Sequence, residues 1–76
     1  MKNNKFNSKR YIKAIDDLLD LIKGVDTQLQ AHRKATPSSE LMIQQYSELK
    51  NRYQKELQDL MNELQQDVQQ QLVLAA

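Results

Sequence analysis

The hydrophobic pattern of the chain reverses about a single point. Tyr11 with Leu64, Ile15 with Leu60, Leu18 with Leu57, Ile22 with Tyr53, Leu29 with Tyr46 and His32 with Ile43 are mirror images about a position beside Pro37, the only proline. Side chains equidistant from a reversal meet across the seam of an antiparallel helix pair, so this symmetry constrains the fold strongly. Two periodic stripes would match somewhere by chance, but the mirror point also falls in the segment KATPSSE (34–40), the most turn-like stretch. The expected fold is all-α: a two-helix antiparallel hairpin, coiled-coil-like, completed to a helical bundle by self-association or a partner.

The first stripe, Tyr11, Ile15, Leu18, Ile22, Val25, Leu29 and His32, alternates spacings of four and three, an a/d heptad seam. It predicts a helix over about 8–34, capped by Asn7 or Ser8. Gly24 lies on its outward side, where glycine weakens a helix by roughly 1 kcal/mol relative to alanine. Either another backbone approaches there or the cost is tolerated. A turn at about 35–37 follows. The second helix is expected over about 37–72, with Thr36 or Ser38 as N-cap and Pro37 in its first turn. Its inward residues read as Ile43, Tyr46, Leu49, Tyr53, Leu57, Leu60, Leu64 and Val68, an eleven-residue pattern from Tyr46 onward. Glu48, Arg52, Glu56, Lys55 and Asp59 are spaced for i,i+4 ion pairs on the outer face. Residues 1–7 form a polar, basic arm expected to be flexible, and 73–76 a short C-terminal tail.

In 76 residues there is room for one small core, and with no cysteine neither disulfides nor thiolate metal sites can reinforce it. No apolar run reaches membrane-spanning or signal-peptide length, which places the expected location in the cytoplasm. The net charge of +1 hides an asymmetry. Lys2, Lys5, Lys9, Arg10 and Lys13 all precede the first acid, Asp16, whereas residues 35–76 lean acidic. Those five cations are the candidate phosphate contacts of an alternative reading, a nucleic-acid accessory protein using Phe6 or Tyr11 to stack on bases.

Two helices cannot fully bury two complete apolar stripes, so a further surface is needed. Ile12, Leu19, Leu21 and Met61 flank the seam in the half away from the turn, and Leu72 and Leu74 extend it. These six residues are the candidate protein interface, which fits a second copy forming a four-helix bundle or a larger protein. The leading functional expectation is therefore a non-enzymatic protein-protein interaction module, a small subunit or adaptor. No cofactor, metal or small-molecule substrate is expected. His32 reads as a side chain covering the end of the seam, and Asp16, Asp17 and Asp20 as a solvated acidic patch neutralised by Lys13 and Lys23. The segment Leu74-Ala75-Ala76 resembles the end of the bacterial tmRNA-encoded degradation tag, which is read by an unfoldase acting with a protease. That three-residue resemblance implies conditional turnover, and a frayed end without function is the alternative.

Overall fold

A computed structural model describes residues 8–75. It consists of two helices, α1 (Ser8–Lys34) and α2 (Glu40–Ala75), packed antiparallel along one another. The hairpin is a rod of 60 × 16 × 15 Å. The expected arm, 1–7, lies outside the described residues.

The connection is built from backbone and serine. The Ala35 amide donates to the Ala31 carbonyl at 3.1 Å, carrying the bonding of α1 one residue past its end. Arg33 and Lys34 lie in its last turn, where cations complement the exposed carbonyls. Ser39 then starts α2: its hydroxyl accepts from the Met42 amide at 3.4 Å, and its carbonyl accepts from the Ile43 amide at 2.9 Å. α2 therefore begins at Glu40, three residues later than expected, with Ser39 as cap in place of Thr36 or Ser38. A capping hydroxyl must sit directly before the first helical residue to reach the third amide, and Ser39 alone holds that place. Pro37, following a cis peptide bond, belongs to the connection and not to the first turn of α2.

In α2 the inward row is Tyr46, Lys50, Tyr53, Leu57, Leu60, Leu64, Asp67 and Gln71, each partly buried. This is an uninterrupted heptad and corrects the eleven-residue pattern. Val68 is rotated off the seam and remains 38% exposed, while Asp67 takes the place expected for it. Helices of unlike period drift apart along a shared seam, so the heptad of α1 imposes its own period on α2. Two of the resulting contacts reach about one turn beyond the mirror pairs, while Asp26–Lys50 lies one residue from the mirror. The Tyr11 hydroxyl reaches Asp67, and His32 stacks on Tyr46.

Burial is concentrated near the turn. Val25 (8% exposed) and Leu29 (2%) are the buried apolar side chains among the described residues. A Cβ built on Gly24 would meet nothing within 4 Å. No backbone approaches that glycine, which leaves the tolerated-cost reading.

Candidate protein interface

Heptad geometry sorts the side chains beside the seam into two broad faces. In antiparallel helices, the residues just after each d position lie on one side of the rod, and those just before each a position lie on the other. With Ile15, Ile22 and Leu29 at a in α1 and Leu57 and Leu64 at a in α2, Ile12, Leu19, Met61 and Val68 share the first face. Leu72 extends it one turn further along α2. Ile12 and Leu72 are each 64% exposed, and Leu19 and Met61 about half exposed. Leu21 lies on the opposite face, beside Ala14, Glu56 and Glu63, so the residues grouped from sequence as one interface are divided between two sides. Leu74, at the end of α2, is strongly exposed.

The same sorting separates charge. Between Leu41 and Ala75, the row of α2 on the first face (Ser47, Gln54, Met61, Val68) and its outer rim (Gln44, Asn51, Gln58, Gln65, Leu72) carry no ionisable side chain. The charges of α2 lie instead on its outer row, as Glu48 and Lys55, on its far side, as Arg52, Glu56, Asp59 and Glu63, or in the seam, as Lys50 and Asp67. Gln58 and Asn62 bond to each other at 3.2 Å along the uncharged rim, and Gln44 to Glu48 at 3.3 Å nearer the turn.

The polar groups that cross the seam hold the hairpin together. Lys50 Nζ donates to Asp26 Oδ1 at 2.7 Å, and this bond, together with the ammonium charge, lowers the carboxyl below its ordinary 3.8. At the open end the Tyr11 hydroxyl donates to Asp67 Oδ2. That bond, then partial burial, then the charge of Asp67 push the phenol from 10.0 up to about 12. His32 and Tyr46 stack with centroids 5.4 Å apart and planes at 21°, closing the turn end of the seam.

Neither cross-seam polar pair was anticipated. For Asp26–Lys50 the signal lies in the mirror, which sets Lys50 opposite Val25, the residue beside Asp26. For Tyr11–Asp67 the signal was the heptad itself, which places Asp67 three residues after Leu64.

Of the basic-arm residues, Lys2 and Lys5 lie outside the described residues. Lys9, Arg10 and Lys13 line a shallow hollow on the outside of α1 together with Ala14 and Asp17. Lys13 engages Asp17 at 3.3 Å, as expected of the acidic patch. The outer pairs expected between Glu48, Arg52 and Glu56 and between Lys55 and Asp59 do not form: the ion pairs among the described residues are Lys13–Asp17 and Lys50–Asp26. Among those residues no group of three or more His, Asp or Glu side chains is placed to hold a metal ion, and no helix is long and apolar enough to cross a membrane.

No family model, curated protein or solved structure matches this chain.

Proposed function

We propose that the protein is a non-enzymatic interaction module, a cytoplasmic small subunit or adaptor that works by docking the open half of its hairpin on another protein surface. The observation that carries this reading is where the exposed apolar side chains lie. Of the large apolar side chains more than one-third exposed among the described residues, Ile12, Leu19, Leu21, Met61, Val68, Leu72, Val73 and Leu74 belong to the half away from the turn and Leu41 alone lies near it. A soluble rod that leaves so much apolar surface in one half gains free energy when that surface is covered. The association is tested by sedimentation velocity across the micromolar range together with co-purification of a tagged chain. Assembly that disappears with the pair Leu19→Asp and Met61→Asp supports the reading. A folded monomer that takes no partner overturns it.

A further inference from the structure

The two broad faces of the open half are not equivalent, and the difference identifies a partner. On the face of Leu21 the rims also alternate in sign, as Arg10 and Asp17 and as Arg52 and Asp59, but Asp17 is engaged by Lys13 and the α2 row beside the seam presents Glu56 and Glu63, so two copies meeting there would bring carboxylates together. The face of Ile12, Leu19, Met61 and Val68 has no such repulsion. Its α2 side is uncharged, as the centres of protein interfaces are. Its α1 rim carries Lys9, Asp16 and Lys23 at heptad spacing, all exposed.

A row of alternating sign is complementary to itself when laid antiparallel. In a two-fold dimer every contact occurs twice, so a residue and its partner exchange roles across the axis. A two-fold axis midway between Lys9 and Asp16 passes beside Ile12. A two-fold axis midway between Met61 and Val68 passes between Leu64 and Gln65. Those two positions are at the same height on the hairpin, because Tyr11 is joined to Asp67. One axis therefore satisfies Lys9 and Asp16 of α1 and the apolar row of α2 together.

Resting on the association reading above, we infer that the occupant of this face is a second copy of the chain. It stacks across a two-fold axis beside Ile12, with α1 antiparallel on α1 and the two turns at opposite ends. Lys9 of each copy meets Asp16 of the other, and Met61 of each meets Val68 of the other. The overlap runs from the axis to the end of α2 in both directions, about 30 Å at 1.5 Å per residue. Along α1 the overlap is shorter, about 13 Å, because that helix begins at Ser8, so with a rod 15 to 16 Å across the contact covers about 700 Å² in total, in the range of weak, transient interfaces. The dimer is thus a weak, concentration-dependent one.

The test uses the full chain and two single variants, K9E and D16K, whose helix content is checked by circular dichroism. Each variant alone sets like charges against each other twice across the axis, so each self-associates at least several-fold more weakly than the unmodified chain. Mixed together, they form a heterodimer in which both contacts are attractive, and association returns. Within one chain these positions are two turns apart and do not touch, so rescue on mixing has no intramolecular source. As a second measurement, Ile12→Cys supplies the only thiol in the chain and oxidises to a disulfide dimer, whereas Leu41→Cys, 65% exposed near the turn, does not.

Failure of rescue, or equal cross-linking at both positions, overturns the two-fold arrangement. A monomer that nonetheless co-purifies with a different protein, in a manner lost on L19D with M61D, overturns the second copy and leaves the association reading standing. A monomer without any partner overturns both.

Discussion

The turn half and the open half share one heptad, but only the turn half completes a core. Near the turn, Val25 and Leu29 are buried, the His32–Tyr46 stack closes the end, and Lys50 spans the seam to Asp26. In the open half the same periodicity continues through Leu18, Leu57, Leu60 and Leu64, and all of them remain partly exposed. The contrast shows that the seam sets the register, whereas burial depends on what covers the flanks. Near the turn, the flanking Met42 and Leu49 are partly buried, and Leu41 alone is left 65% exposed. In the open half the flanking apolar side chains point away from it, and no part of the described chain covers them.

The largest expected effect tests this contrast directly. Leu29→Ala empties the most buried position and costs about 2 to 5 kcal/mol, enough to unfold much of a chain this small. Leu19→Ala, in the open half, changes the stability of the dilute protein by about 0.5 kcal/mol or less. Urea titrations followed by circular dichroism separate the two. If the open half is covered by association, Leu19→Ala acquires a concentration-dependent cost that Leu29→Ala does not share, because only a surface made by two chains is linked to concentration. Equal costs for the two substitutions in dilute solution would erase the distinction between the halves.

Gly24→Ala is expected to stabilise by about 1 kcal/mol. The position is helical and the new methyl group meets open space, so alanine removes backbone freedom from the unfolded chain without a clash. A higher melting temperature confirms this. A lower one would mean that another surface reaches the outer side of α1 at this point.

The hairpin, the extent of α1 and the place of reversal were legible from the mirror and the single proline, because an apolar stripe constrains which face of a helix turns inward. The start of α2 was not, since Thr36, Ser38 and Ser39 are chemically similar caps and their ranking depends on the path of the connection. The inward place of Asp67 was hidden for another reason. A pattern built from apolar residues preferred Val68, whereas the period of α1 and the reach of the Tyr11 hydroxyl select the carboxylate. At the candidate interface, sequence identified which apolar residues are left over. Dividing Leu21 from Ile12, Leu19 and Met61 required the heptad register of both helices, which became definite only once α2 was seen to keep it through Gln71.

A smaller effect belongs to the polar crossing in the turn half. Lys50→Met fills the seam with a side chain of similar length and removes the bond to Asp26. The Asp26 carboxyl then titrates at a higher pH than in the unmodified protein, which carbon-detected NMR of the side chain follows. The sign for stability is fixed by the lowered value. The Asp26 contribution is present above the ordinary 3.8 and is lost as pH falls through the lower folded value. The Lys50→Met chain lacks that acid-side loss. An unchanged Asp26 titration would mean that the crossing does not hold in solution.

The smallest effect is at the open end, where Tyr11 joins Asp67. Because the folded phenol titrates near 12 and the unfolded one near 10, the contribution is fully present below pH 10. Between 10 and 12 the unfolded chain ionises first and the contribution declines. Above 12 the folded phenolate faces Asp67 and Glu63, and nothing remains of it. Tyr11→Phe keeps the ring on the seam and removes the hydroxyl, so it should abolish this alkaline step while leaving the turn half intact. Amide hydrogen exchange at pH 7 distinguishes the halves: faster exchange confined to residues around Tyr11 and Asp67 is the expected result. Faster exchange extending to Val25 and Leu29 would show that the hairpin opens as one cooperative unit, and that the two halves differ in burial but not in the free energy of opening.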